Sequence, residues 1–493
     1  MNIAMTSTDR YFSHMMPRPI AIVLCTIVLG GCTAGPDFKR PAPPVVQNYT
    51  AEKLPVQTVS VSSAMGNAQR FVTRTPIDTG WWQQFGSSKL NDLVKQALKS
   101  NPTLDAAQAT LRQAEQTYAA QAGSTLYPQA NAQFGTQRQT ISPSAQGLPG
   151  AERTFNLYNA SVGVSYNLDL SGGNRRTLEA LAAQTDYQRF QLEGARLTVA
   201  ANVVTTAIIQ AQMTEQINAT EQILAAQREQ LDLTRQRLAL GNASDIDVLS
   251  LQTQVEQTRA AILPLRNRLE QSNHLLAILS GQPPGATTIP RFTLDDFTLP
   301  VELSLQVPSE LVHQRPDILA SEALLHVASA QYGVAVSRLY PQLTISSNMG
   351  SQALTSAALF GPNSLVWGLA GQLTQPLFNA GLRPGTRAAE AGFDAAAANY
   401  RQTVLQALRN VADVLRAIDN DAQAMQAQAA ADSSVQRLLE LTQQQYRLGA
   451  TSYLQLLIAQ QQTQQIRISL ISAQAQRLTD TAALYQAMGG ESF

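Results

Sequence analysis

Leu157-Tyr158-Asn159-Ala160-Ser161-Val162-Gly163-Val164-Ser165-Tyr166-Asn167-Leu168-Asp169-Leu170 alternates without a break. Tyr158, Ala160, Val162, Val164, Tyr166, Leu168 and Leu170 fall on one face. Asn159, Ser161, Gly163, Ser165, Asn167 and Asp169 fall on the other. A period of two is the mark of a strand. A typical globular strand is about 5 to 6 residues, so this one is long. A strand that crosses a bilayer needs about 9 to 11 residues with this apolar and polar alternation.

A weaker strand precedes it, with Gln129, Asn131 and Gln133 alternating with Ala130, Ala132 and Phe134. The Ser-, Pro- and Gly-rich stretch Ser142 to Gly150 reads as the loop between them. The pattern returns later. Leu343, Ile345, Ser347 and Met349 alternate with Thr344, Ser346 and Asn348. Leu365, Trp367, Leu369, Gly371 and Leu373 alternate with Val366, Gly368, Ala370, Gln372 and Thr374. This makes four long strands in two hairpins. Two amphipathic hairpins over a soluble core would share the alternation. Against that reading, the second face is almost all Gly, Ser, Asn, Gln and Thr, as a water-filled lumen requires.

The whole chain is a duplication. Leu126-Tyr127-Pro128-Gln129 recurs as Leu339-Tyr340-Pro341-Gln342, and Asn202-Val203 as Asn410-Val411. Leu240, Gly241, Ala243, Ser244, Ile246, Val248 and Leu249 recur as Leu448, Gly449, Thr451, Ser452, Leu454, Leu456 and Leu457. The matches keep one order and lie roughly 210 residues apart. After the small-residue corners Ser171-Gly172-Gly173-Asn174 and Asn379-Ala380-Gly381, helical periodicity persists from Arg175 to Leu240 and from Arg387 to Leu448. Each stretch amounts to about 100 Å of helix. Val404, Leu408, Val411, Leu415 and Ile418 form a coiled-coil seam. Each long helix stops at Leu-Gly, with glycine placed for a left-handed cap. Ser244 and Ser452 stand where N-caps would start return helices from Asp245 to Leu279 and from Tyr453 to Met488. Residues 281–308 read as a connector, and the repeats as 81–280 and 309–493.

The 493 residues balance Lys plus Arg against Asp plus Glu, so no basic surplus draws nucleic acid. Charged residues are 14% and aromatic residues 6%, low for a soluble enzyme. The two cysteines, Cys25 and Cys32, sit at the N-terminus and leave the body without a disulfide framework. His14, His274, His313 and His326 lie far apart, which suits no metal site and no cofactor. There is no phosphate loop and no clustered nucleophile with a base, so an enzyme is the weakest class.

Arg10 and Arg18 precede an apolar run from Ile20 to Leu29, followed by Gly30-Gly31-Cys32. The run has the form of a secretory leader over residues 1–31 and is too short to span a membrane. Leu29-Gly30-Gly31-Cys32 resembles a bacterial lipobox, which makes Cys32 the lipidation site; a plain leader is the alternative. Thr33 after the cysteine favours the outer membrane under the lipoprotein sorting rule. Residues 32–80 would be a lipidated stalk, extended over Pro36 to Pro44, and a following segment.

Four strands cannot close a barrel, and an open sheet edge in lipid leaves unpaired backbone groups that cost several kcal/mol each. Other copies of the chain must complete the wall. Helices of about 100 Å cannot lie within about 30 Å of hydrocarbon, so they must project from it, and the leader puts them in the periplasm.

Here the chain resembles the outer membrane factors of the TolC-like class, lipoprotein channels of tripartite efflux systems. The resemblance rests on Trp81-Trp82-x-x-Phe85 with Leu90 and Leu93, on Asn101-Pro102, and on the doubled Leu-Tyr-Pro-Gln. Arg315-Pro316-Asp317-Ile318 with Ala320 and Glu322, and both Leu-Gly-x-x-Ser tips, complete it. It implies an α+β membrane protein, a homotrimer with a 12-stranded β-barrel continued by a coiled-coil tunnel, and no catalysis. The implied partners are outer membrane lipid, a periplasmic adaptor protein and an inner-membrane pump, driven by protons for drug efflux. A conduit for protein secretion shares the fold and stays open, as does a structural coiled-coil lipoprotein, which the hairpins speak against.

The resemblance also assigns sites. Gly241, Asn242, Ala243, Ser244, Gly449, Ala450, Thr451 and Ser452 match the periplasmic tips at which the adaptor docks; simple helix capping is the other reading. Asp413, Arg416 and Asp419 interrupt the seam where the resemblance puts a gate, opposite Thr205 and Ile208 of the first half. The other reading is a solvated ion pair one turn apart.

Overall fold

The computed structural model describes residues 34–46, 48–73, 80–147, 149–285 and 289–489. The leader and the proposed lipidation site Cys32 lie outside them. In chain order the elements are β1 (Arg70–Thr73), α1 (Ser88–Ser100), α2 (Pro102–Leu126), β2 (Gln129–Ile141), β3 (Arg153–Leu168), α3 (Gly173–Ala239), α4 (Asp245–Leu279), β4 (Glu302–Leu305), α5 (Pro316–Ser337), β5 (Gln342–Ala353), β6 (Leu365–Thr374), α6 (Leu382–Arg447) and α7 (Tyr453–Met488). The helices α3 and α6 have 67 and 66 residues. The chain divides into two compact units that cut across the duplication. One takes the residues up to Lys39, Gln116–Ala183 and His326–Ala395; the other takes Arg40–Glu115, Gln184–Leu325 and Ala396–Phe493.

The first unit holds an antiparallel sheet in the order β2-β3-β5-β6. Its register carries the alternation across all four strands. Ala132 faces Val162, Val162 faces Met349, and Met349 faces Trp367. Leu168 faces Leu343, which faces Leu373. On the opposite side Asn131, Gly163, Asn348 and Gly368 line up. Phe134, Trp367 and Leu369 are more than 70% exposed. The outer edges of β2 and β6 have no strand partner among the described residues.

Both Leu-Tyr-Pro-Gln motifs are helix-to-strand junctions, with a strand starting on the glutamine after each proline. Proline cannot continue a helix and favours extended backbone before it. The weak strand β2 is longer than its hydropathy predicts, because the ladder with β3 runs from Gln129↔Ser165 to Ile141↔Arg153. Gln137, Arg138 and Gln139 are polar on both faces, so backbone pairing extends this strand rather than burial. In contrast, β3 ends two residues before Leu170. Asp169 leaves the ladder and accepts the Asn174 and Arg175 amides (3.0 and 2.8 Å), capping α3.

The second unit has two apolar clusters. In one, Trp81, Trp82 and Phe85 meet Leu90, Leu93 and Val94 of α1, Val203 and Ile208 of α3, Val411 and Leu415 of α6, and Tyr485 of α7. Trp81 stacks on Tyr485 at 5.4 Å. The expected seam is buried at Val404, Val411, Leu415 and Ile418, and continues through Ala422 and Met425. In the other, Ile217, Leu224 and Leu231 of α3 pack with Leu251, Val255 and Ile262 of α4 and with Tyr453 and Leu456 of α7. Arg315 of the Arg-Pro-Asp-Ile motif grips Asp317 through two bonds (2.9 and 2.7 Å) and donates to the Ala487 carbonyl (2.8 Å). It thereby satisfies a carbonyl at the end of α7 that the helix itself cannot. The connector contains β4, which pairs parallel with β1 from Arg70↔Glu302 to Thr73↔Leu305. The hydropathy of so short a pair shows no strand.

Candidate functional site

The two helical hairpins turn in the same way. After α3, the Gly241 amide donates to Leu238 O (2.9 Å) and the Asn242 amide to Arg237 O (2.7 Å). After α6, the Gly449 amide donates to Tyr446 O (3.1 Å) and the Ala450 amide to Gln445 O (2.8 Å). The glycines are left-handed, with φ of +74° and +72°. Among the described residues, nothing lies within 4 Å of a Cβ built on either one. Glycine is needed here for its dihedral and not for close packing within the chain.

The return helices start differently. Ser244 and Asp247 form a reciprocal capping box, the Asp247 amide donating to Ser244 Oγ (3.2 Å) and the Ser244 amide to Asp247 Oδ2 (3.1 Å). Ser452 is an extended N-cap whose side chain makes no cap bond among the described residues. Gln455 stands where the first tip has Asp247. Ala243 and Thr451 lie inside the two turns, next to these caps.

The turns carry apolar residues that the small-residue reading leaves out. Leu240 and Ile246 flank the first at 76% and 75% exposure; Leu448 and Leu454 flank the second at 84% and 60%. Their signal was in the repeat itself, which preserves an apolar residue on either side of each glycine. The Arg237 guanidinium lies 5.7 Å above the Tyr446 ring, and Tyr446 meets Tyr453 edge-on at 6.0 Å. The ends of α3, α6 and α7 are joined by these contacts.

The charged set on α6 is not near a tip. Roughly 47 Å of helix separates Arg416 from Arg447. Asp413 and Arg416 take different partners. Asp413 is exposed and lies 3.7 Å from Arg409 one turn back. Arg416 reaches the Glu52 carboxylate at 3.2 Å and the Glu52 carbonyl at 3.2 Å. Asp419 accepts from Gln423 Nε2 at 3.4 Å. In the first half, Ile208 is fully buried and Thr205 bonds back to the Ala201 carbonyl.

A polar centre that sequence reasoning missed lies on α7. Arg477 is 2% exposed and donates to the carbonyls of Met65 and Asn67 and to Gln69 Oε1. Burial pushes its guanidinium down to about 10, so it keeps its charge at neutral pH. One turn on, Asp480 is 7% exposed and accepts from Gln476 Nε2 at 2.8 Å. Burial, and then the facing Asp421 carboxyl, push Asp480 up to about 8. A lone Arg and Asp in a helix rich in Ala and Gln send no signal of burial.

The profile of the outer membrane efflux protein family matches residues 93–282 and 307–490. The probable efflux pump outer membrane protein TtgC of Pseudomonas putida is 28% identical over 476 residues, 96% of this chain and 95% of that protein. The pyoverdine export outer membrane protein OpmQ of Pseudomonas aeruginosa is 30% identical over 420 residues, 83% of this chain and 87% of that one. The probable outer membrane lipoprotein SilC of Salmonella typhimurium is 27% identical over 94% of this chain and 96% of its own length. The solved outer-membrane channel OprN superposes with a TM-score of 0.84 at 25% identity, over 93% of this chain and 99% of that chain. With two matched stretches that take in both hairpin tips and both long helices, the chain belongs to the outer membrane efflux protein family.

Proposed function

We propose that three copies of this chain close a 12-stranded barrel and a helical duct, through which small toxic molecules leave the cell passively. As a member of the outer membrane efflux protein family, the chain is an outer membrane channel subunit of tripartite efflux. The observation that supports closure by further copies is the sheet. Its four long strands share one apolar face, and the outer edges of β2 and β6 are unpaired among the described residues. In lipid such edges cost several kcal/mol for each unpaired group. Pairing β6 of one copy with β2 of the next removes both, and three copies give twelve strands with room for a lumen.

In this reading the tips Gly241 to Ser244 and Gly449 to Ser452 receive the periplasmic adaptor, with Leu240, Ile246, Leu448 and Leu454 supplying apolar contact. Asp413, Arg416 and Asp419 form three charged sets, one per copy, partway along the duct. Cys32 carries the lipid, and the inner-membrane pump supplies the driving force.

Cysteines introduced at facing edge positions of β2 and β6 test the closure. Oxidation should yield a covalent ladder that stops at three copies in outer membranes. A ladder that stops at two, or none with both strands labelled by a soluble reagent, would overturn it. Restored drug resistance in an export-deficient strain tests the efflux role, and export of a protein substrate instead would replace it.

A further inference from the structure

Residues 34–38, within the first unit, are held by contacts that belong to neither hairpin. The Ala34 amide donates to the Ser171 carbonyl (2.9 Å), at the corner after β3. Arg176, in the first turn of α3, folds its guanidinium back over this segment. Its Nε donates to Ala34 O (3.2 Å), and its Nη2 to Gly35 O (3.4 Å) and to Asp37 Oδ1 (2.6 Å). Its Nη1 holds Glu179 Oε2 at 2.7 Å, and the other Glu179 oxygen lies 2.8 Å from His326 Nε2. The Phe38 ring stacks on His326, with centroids 4.3 Å apart.

The packing beneath is equally close. Gly35 is left-handed at φ +81°, and a Cβ there would lie 2.6 Å from Gly333 Cα on α5. A Cβ on Gly333 would lie 2.9 to 3.0 Å from the Arg176 side chain. The segment, the α5 backbone and Arg176 are layered with no space for a methyl group. A free tether needs neither two glycines face to face nor a buried guanidinium to satisfy its carbonyls. Lysine could not do the same, since it lacks the planar fork that reaches several acceptors at once.

We propose that residues 34–38 are a docked strap, clamped by Arg176 over Gly35 and Gly333, and that the clamp fixes where the lipid on Cys32 enters the membrane. Ala34 follows Cys32 by two residues, and two residues of chain reach at most about 7 Å. Arg176 is a positioning residue that acts on the lipid through the strap. The proposal rests on the acylation of Cys32 described above.

Trypsin cutting after Lys39 separates the lipidated end from the body, the Arg40–Pro41 bond being resistant. Outer membranes from cells fed radiolabelled palmitate are digested, and both the label and the truncated body are followed on gels. The wild type should keep label and body together. Arg176→Gln should lose label about tenfold faster and Asp37→Asn, whose side chain is exposed, about two- to fivefold faster, as the local opening that exposes the strap becomes more frequent. Arg176→Lys should fall between. Arg189→Gln, which breaks an exposed pair with Asp186, should match the wild type. The Asp37 side chain is 81% exposed, so Asp37→Asn carries the test if Arg176→Gln fails to assemble. Equal rates for the wild type and Asp37→Asn overturn the strap. A wild type without label removes the acylation alone, because the rate at which the truncated body accumulates still decides whether the strap is docked.

Discussion

The Arg416 guanidinium lies 3.2 Å from the Glu52 carboxylate, whereas Ile208, its counterpart in the first half, is buried in the apolar core. The duplication is broken here, because one half has a segment to hold and the other has a core to fill. The Glu52 side chain is 87% exposed, and exposed pairs contribute about 0 to 1 kcal/mol. Arg416→Ala should therefore lower the melting temperature by no more than about 2 °C. If the set gates the duct, Arg416→Ala or Asp413→Ala should raise single-channel conductance in planar bilayers. An unchanged closed level in both would reduce the set to surface charge.

Asp480 makes stability depend on pH. Its carboxyl is pushed up to about 8, first by burial and then by the facing Asp421 carboxyl. In the unfolded chain it returns to about 3.9. Between these values the folded chain holds a proton that the unfolded chain has lost, so stability falls as pH rises, by about 1.4 kcal/mol per unit, and levels off above pH 8. Melting temperatures from pH 5 to pH 9 should show this decline in the wild type, and Asp480→Asn should flatten it. A parallel decline in the variant would assign the slope to other groups.

The two N-caps should respond unequally. Ser244→Ala removes the bonds that the Oγ makes with Asp247, leaves the backbone half of the capping box, and should destabilise the first turn of α4 by about 1 kcal/mol. Ser452 makes no side-chain cap bond among the described residues, so Ser452→Ala should change the first turn of α7 by less than about 0.5 kcal/mol. Hydrogen exchange of the amides at positions 246–248 and 454–456 reads the difference. Equal loss of protection at both tips would contradict it.

Gly449→Trp separates docking from assembly. The left-handed φ of +72° costs a side chain about 1 to 2 kcal/mol, and no atom of the described chain lies within 4 Å of a Cβ there. Heat-resistant oligomers should form in normal amounts while drug export is lost. Undiminished resistance in a strain that depends on this protein would show that the adaptor does not seat on this turn.

Local chemistry accounts for the parts that could be read directly. Ser244, Gly241 and Gly449 were legible because caps and left-handed turns are set by the residue and its immediate neighbours. The seam from Val404 to Ile418 was legible because one face of a helix has to be buried. The polar end of β2 was not, since Gln137, Arg138 and Gln139 gain order from backbone pairing with β3, which leaves no trace in hydropathy. Arg477 and Asp480 were not either. A charge enters a core only when acceptors from distant segments converge on it, and Met65, Asn67 and Gln69 lie more than 400 residues away.

The duplication, the long strands, the long helices and the family could be read from the order of residues, because periodicity and repeat are properties of neighbours along the chain. The folded chain was needed to show that β3 pairs with β5, joining the halves into one sheet, and that β1 pairs with β4 in a segment with no visible periodicity. It alone brought Arg176 against Ala34, Gly35 and Asp37. In each case the partners are separated by more than 130 residues, and their free energy comes from contacts that exist only once the chain is folded.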